Sequence, residues 1–182
     1  VPVVCAGRMD PYVGAQAVAE GKLDAVGFAR QFLADGEWVT KLVEGREKDI
    51  RPCICCHNGC FNMCRYKGHA NTQTLEDSLH LSRCAVNPET MQYEKHHIRP
   101  TTTPRRVAVV GGGIGGMETA RVLALRGHWP VIYEQSDHLG GVFREAASAS
   151  FKGKLRDLLA WYERQMKELG VEDRKSTRLN SS

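Results

Sequence analysis

The chain has 182 residues, 42% of them hydrophobic and 25% charged, the balance of an ordinary globular protein rather than a disordered or fibrous one. Its formal charge is +4, and three basic residues against one acid fall in the last ten positions, so no basic footprint for nucleic acid remains once that stretch is set aside. No run approaches the roughly 18 apolar residues that cross a bilayer, and no signal-peptide pattern opens the chain, which makes a cytoplasmic, membrane-free protein the default expectation.

Val1 to Cys5 reads as an apolar strand that opens without an initiator methionine or a capping segment, as an internal fragment would. A Gly7-Arg8-Met9 loop follows, then a helix started by Asp10 as N-cap with Pro11 in its first position and stopped by Gly21 in the left-handed conformation. Asp24 to Phe28 forms a second strand, followed by another helical run. Strand-then-helix alternation implies parallel α/β structure over residues 1–50. Two such units cannot close a sheet, so their apolar faces need partners and this part should be poorly stable alone.

Residues 51–98 form a cysteine-rich connector with a short helix expected from Thr74 to Ser82, and residues 99–104, Arg-Pro-Thr-Thr-Thr-Pro, form a linker. Five of the seven cysteines crowd between Cys53 and Cys64, which is metal spacing rather than a disulfide framework and suits a reducing compartment. Cys53, Cys56 and Cys60 stand at C-x2-C-x3-C spacing, with Cys84 further on. Thiolates select iron–sulfur clusters or zinc, and a tight run of three closed by a distant fourth is a common way to hold a 4Fe-4S cubane. Pro52 fixes the approach to Cys53, and Gly59 lets the chain fold close behind a bulky group.

Cys55 and Cys64 are left over, and Cys56, Cys60 and Cys64 are an alternative triplet. Zinc also accepts four thiolates, although its sites more often pair two C-x2-C knuckles. Cys5 on a strand reads as a small buried hydrophobe. His57, His69, His80, His96 and His97 show no ligand spacing with one another. Arg51, Arg65, Lys67 and Arg83 lie close to the ligands in sequence and would partly offset a cluster's negative charge.

A new unit begins at Arg105 and runs to residue 172. Arg106 to Val110 is a strand, Gly111 to Gly116 a glycine turn, Met117 to Arg126 a helix, and Pro130 to Tyr133 a second strand ending at Glu134. Gly111, Gly113 and Gly116 fit G-x-G-x-x-G in the strand–turn–helix setting of a dinucleotide site, with Glu134 placed to accept a ribose hydroxyl. The first glycine permits the turn, the second lets backbone approach a pyrophosphate, and the third lets helix pack on strand. The helix N-terminus offers free N–H groups to the phosphates. Gly140-Gly141 reads either as a follow-on part of that site or as a plain turn. Leu155, Leu158, Leu159, Tyr162, Met166 and Leu169 recur at helical spacing, a core-facing stripe. Asp173 to Ser182 resembles the conceptual translation of a common sequencing-adapter oligonucleotide and is left out of functional reasoning.

Taken together, Val4-Cys-Ala-Gly-Arg8, Gly27-Phe-Ala-Arg-Gln-Phe-Leu-Ala-Asp35, Arg51-Pro-Cys-Ile-Cys-Cys-His-Asn-Gly-Cys60, Cys84-Ala-Val-Asn-Pro88 and the glycine fingerprint resemble one family. It is the iron–sulfur flavoenzyme group of 2,4-dienoyl-CoA reductase, 2-enoate reductase and trimethylamine dehydrogenase, within the old yellow enzyme superfamily. The segment Cys56 to Met63 is most similar to the enoate-reductase and NADH-oxidase branch. Two departures bear on the branch: about 23 residues separate Cys60 from Cys84, more than the dienoyl-CoA reductase pattern has, and Cys55 and Cys64 are extra.

The resemblance implies an α/β protein: the last two βα units of an FMN-binding TIM barrel (1–50), the 4Fe-4S connector (51–98) and the start of a Rossmann-like FAD/NAD(P)-binding domain (105–172). It implies that Gly7, Arg8, Ala29 and Arg30 hold the FMN phosphate. Gly111, Gly113, Gly116, Glu134, Gly140 and Gly141 would bind FAD, and Cys53, Cys56, Cys60 and Cys84 the cluster. It further implies NAD(P)H as reductant and a small unsaturated acid or thioester as substrate, with a homo-oligomer as a further candidate assembly. The substrate pocket and catalytic acid of such enzymes lie on earlier barrel strands and their nicotinamide subdomain beyond this chain, so no catalytic residue is assigned. An amine dehydrogenase of the same architecture and a zinc-stabilised nucleotide module are the competing readings.

Overall fold

The computed structural model describes residues 1–64 and 82–177, with burial defined to residue 62 in the first stretch. The expected Thr74–Ser82 helix, apart from its last residue, and Arg65, Lys67, His69 and His80 lie outside the described residues.

Two parallel sheets organise the chain. In the first, β1 (Val4–Ala6) pairs with β2 (Ala25–Gly27), Cys5 opposite Val26. β1 begins later than the apolar run because only residues 4–6 find ladder partners, while the Val3 N–H turns to the Asp24 carboxylate at 2.6 Å. Helix α1 (Pro11–Ala19) starts as expected: Asp10 Oδ1 accepts from the N–H groups of Tyr12 and Val13 at 2.9 and 3.1 Å. It ends at Gly21, φ +69°, with the Lys22 N–H bonded back to the Ala17 carbonyl.

The second helical run divides into α2 (Arg30–Ala34) and α3 (Trp38–Val43) around Asp35-Gly36. Asp35 is 7% exposed and its carboxylate earns that burial by accepting from the Lys41 ammonium at 2.7 Å and the Arg51 N–H at 2.8 Å. The two-strand sheet leaves Val3, Val4, Tyr12 and Val13 exposed. Two short helices, α4 (Phe61–Cys64) and α5 (Tyr93–His96), flank the undescribed part of the connector.

The second sheet has the order β3 (Arg106–Val110), β4 (Trp129–Tyr133), β5 (Glu172–Arg174), all parallel. Thus β5 reaches into the segment that was set aside from residue 173. Helix α6 (Ile114–Leu125) starts three residues before the expected Met117, because Gly113 already caps it and the free turn is only Gly111–Gly113. After α7 (Val142–Ala146), α8 (Gly153–Glu168) lays Leu158, Leu159, Tyr162 and Met166 into the core with Met117, Ala120 and Ile132. Each large apolar side chain buried this way contributes about 1.5–3 kcal/mol. Leu155 packs at the margin of that core, as the stripe predicts.

Trp161, outside the stripe, is only 3% exposed and joins the two halves. Its indole N–H donates to the Asp49 carbonyl at 3.0 Å, and Arg164 donates to the Lys48 carbonyl at 2.8 Å. The Arg51 and Arg121 guanidinium groups stand 5.0 and 5.6 Å from the Trp161 ring, within cation–π range. Among the described residues no helix is long and apolar enough to cross a membrane.

Candidate functional site

Cys53, Cys56, Cys60 and Cys84, separated by up to 31 positions in the chain, line one small cavity of about 20 Å³ together with Arg30, His57 and Gly59. Left-handed backbone at Cys55 and His57, φ +55° and +57°, coils the loop so that its cysteines face different ways. Cys55 accordingly lines a second, larger cavity instead. The side chain of Cys64 is not described, so the triplet that includes it lies outside the described residues.

Gly59 has a different partner from the one expected. A Cβ there would stand 2.7 Å from the Arg83 carbonyl oxygen, and the Arg83 N–H donates to the Gly59 carbonyl at 2.6 Å. The missing side chain lets the Cys60 loop lie against the backbone that carries Cys84. Burial pushes the thiols of Cys53 and Cys84 up, opposed at Cys84 by the N–H groups of Val86 and Asn87. Loading a soft metal there therefore releases protons.

The larger cavity, about 890 Å³, is lined by Gly7, Arg8, Ala29 and Arg30, all four residues expected to meet a phosphate, and by Trp38 and Cys55. Gly7 and Arg8 adopt φ of +112° and +52° at the end of β1, directly before the Asp10 cap. Arg30 and Cys53 line both cavities. Arg30 Nη1 lies 3.0 Å from His57 Nε2, a contact that requires the imidazole nitrogen to accept.

Sequence reasoning gave His57 no ligand spacing and so no role, and did not single out Gln31. The Gln31 amide donates to the Arg51 carbonyl at 2.9 Å and accepts from the Cys53 N–H at 3.1 Å, pinning the start of the cysteine loop to α2. A glutamine one residue after Arg30 carries no spacing signal that could have shown this. Arg51 turns away from the thiols: it donates to the Val86 carbonyl at 2.7 Å and stacks on Trp161. Its role is to join the two ends of the connector to α8.

At the glycine turn, Gly111 has φ +96° and Gly113 faces open space. A Cβ on Gly116 would stand 1.8 Å from the Gly111 carbonyl oxygen, so α6 packs against the turn only because that position lacks a side chain. No side chain caps α6 at Gly113, leaving its first N–H groups available to an anion. Glu134 is 7% exposed at the end of β4 and accepts from the Gly112 N–H at 2.6 Å. Hydrogen bonding from Ser136 and Gly112 holds its carboxyl below the usual range against the opposing effect of burial. Gly140 and Gly141, φ +110° and +50°, bring the next loop onto this turn, the Gly140 N–H donating to the Gly112 carbonyl at 2.8 Å. The pair thus packs against the glycine turn, a Cβ on Gly141 standing 3.3 Å from the Gly113 Cα.

The family model described as an NAD(P)-binding Rossmann-like domain matches residues 109–160, the span of this turn and its helices. The cinnamate reductase of Clostridium sporogenes is 37% identical over 173 residues, covering 94% of this chain. The chain belongs to the flavin and iron–sulfur oxidoreductase family of 2,4-dienoyl-CoA reductase and trimethylamine dehydrogenase. Two solved structures extend the likeness to three dimensions. The 2-naphthoyl-CoA reductase structure superposes with a TM-score of 0.84 at 31% identity over 99% of this chain. Histamine dehydrogenase from Rhizobium sp. 4-9 gives 0.79 at 31% over 98%. The chain spans about a quarter of the length of these relatives, 24% of the cinnamate reductase and 26% of each solved chain.

Proposed function

We propose that this chain is the electron-relay portion of an NAD(P)H-dependent flavin oxidoreductase that reduces an activated carbon–carbon double bond of the 2-enoate or enoyl-thioester kind. The observation that carries the reading is the shared wall of Arg30 and Cys53 between the four-cysteine cavity and the cavity of the phosphate-binding loops. Redox groups held on either side of these two residues would be close enough to exchange electrons.

Cys53, Cys56, Cys60 and Cys84 would hold a 4Fe-4S cluster. The four cysteines line one cavity, and a tight run of three closed by a distant fourth is the pattern that supports a cubane. Gly7, Arg8, Ala29 and Arg30, at the ends of what we take as the last two strands of a TIM barrel, would hold the FMN phosphate through backbone N–H groups and guanidinium. Gly111, Gly113, Gly116, Glu134, Gly140 and Gly141 would hold FAD. When bound, these groups supply two-electron exchange with nicotinamide and substrate at the flavins and single-electron passage between them. This chain's residues bind and orient them, and we assign it no catalytic acid or base.

The likeness to histamine dehydrogenase supports a second reading, in which electrons leave an amine at FMN and run outward. Both are tested on the complete protein by assaying iron, zinc, acid-labile sulfide, FMN and FAD, then adding NADH without oxygen. Close to four irons and four sulfides per chain, with flavin bleached by NADH and reoxidised by cinnamate or an enoyl thioester, is the expected result. Bleaching by an amine and not by NADH would transfer the assignment to the dehydrogenase reading. One zinc without sulfide would overturn the relay.

A further inference from the structure

Glu134 is held by a neighbour that the glycine fingerprint does not include. Ser136 directs both its N–H, at 2.8 Å, and its hydroxyl, at 2.9 Å, to Glu134 Oε1, while Gly112 serves Oε2 at 2.6 Å. The Ser136 hydroxyl also lies 2.7 Å from the His138 carbonyl. One hydroxyl has one proton, so it donates to one acceptor at a time, and an ionised carboxylate is the stronger of the two. A protonated Glu134 reverses the pattern: it would donate to the serine oxygen while the serine turns to His138.

We propose that Ser136 is a positioning residue that locks the Glu134 carboxylate in the orientation that meets the ribose hydroxyls of a dinucleotide held on the glycine turn. The inference rests on the assignment of that turn to FAD. Three donors fix the carboxylate before ligand arrives, which removes the rotamer freedom that binding would otherwise have to freeze. The surrounding charges are engaged elsewhere. Arg174 of β5 pairs with Glu172 at 2.7 Å and Arg144 of α7 with Glu163 at 2.8 Å. Asp137 pairs with His138 at 2.6 Å in the same loop, and Lys175 with Asp173 at 3.1 Å beyond β5. Ser136 and Gly112 hydrogen-bond the carboxylate, and the Gln135 backbone N–H adds a smaller contribution in the same direction.

The sign of the pH effect follows. Hydrogen bonds to the ionised form lower the Glu134 pKa, so removing the hydroxyl raises it and moves the loss of FAD affinity on acidification to higher pH. FAD binding to the flavin-stripped complete protein, followed by quenching of FAD fluorescence from about pH 3.5 to 8 so that the window reaches below the ordinary carboxylate range, tests this. Ser136→Ala should weaken binding about tenfold at pH 7 and move the acid limb up by about one unit. Ser136→Thr, which keeps the donor, should restore both, and Glu134→Gln should abolish the acid limb. Ser136→Cys, a weaker donor, carries the same comparison if the alanine variant melts early. Wild-type affinity and pH profile in Ser136→Ala, or failure of threonine to rescue, overturns the positioning role. A wild-type protein that takes up no FAD overturns the assignment of the turn itself, a result distinct from either.

Discussion

Replacing Gly116 by alanine would ask the glycine turn to accept one methyl group. The added Cβ would stand 1.8 Å from the Gly111 carbonyl oxygen, where real Cβ atoms essentially never come within 3.0 Å. The obstacle is backbone, not the end of a side chain that can rotate away, so the start of α6 must retreat by about 1 Å or more. Met117 and Ala120, both fully buried on that helix, would lose contact with the sheet as it moves. Ordinary overpacking costs about 1–3 kcal/mol, and this contact belongs at or above the top of that range. Gly113→Ala is the matched control, because a Cβ there meets nothing within 4 Å. It should leave the flavin-free protein as stable as before and still lose FAD, since the methyl occupies the space a pyrophosphate needs. Melting temperature and bound FAD per chain, measured on the complete protein for both variants, separate packing from binding. A Gly116→Ala protein that melts within about 1 °C of wild type and keeps its FAD would refute the packing argument.

Cys84→Ser in the complete protein should lose most iron and sulfide, whereas Cys55→Ser should keep both, because Cys55 lines the larger cavity; metal analysis decides, and equal losses would contradict the ligand set. Trp161→Phe removes the hydrogen bond to the Asp49 carbonyl and weakens the stacking with Arg51. It should cost about 1–2 kcal/mol, read as a lower urea midpoint, and an unchanged midpoint would show that the junction carries no stability. Asp10→Ala deletes the cap of α1, worth about 1 kcal/mol, two residues from Arg8. Faster loss of FMN on dilution is expected, and unaltered retention would separate the cap from the phosphate loop.

Much of this protein was legible because its signals are local. The Asp10 cap and the Gly21 stop depend on residues within a few positions, and both appear as read. The strand–turn–helix around Gly111 to Gly116 and the α8 stripe depend on backbone sterics and on the helical period, which any sequence carries on its face. The cysteine spacing singled out four residues that line one cavity.

What the sequence withheld was direction and distance. Arg51 sits two residues from Cys53, yet its side chain joins Val86 and Trp161. Gly59 makes room for the Arg83 backbone, which is 24 positions away and has no trace in the local pattern. Gln31, His57 and Ser136 act through hydrogen bonds whose partners are chosen by how loops meet. The sequence by itself thus determined the element types and the glycine turn, since these follow from short-range sterics and residue chemistry. Only the tertiary structure decided that Arg30 and Cys53 stand between two cavities and that Trp161 ties the two sheets together, because such contacts depend on the packing of segments far apart in the chain.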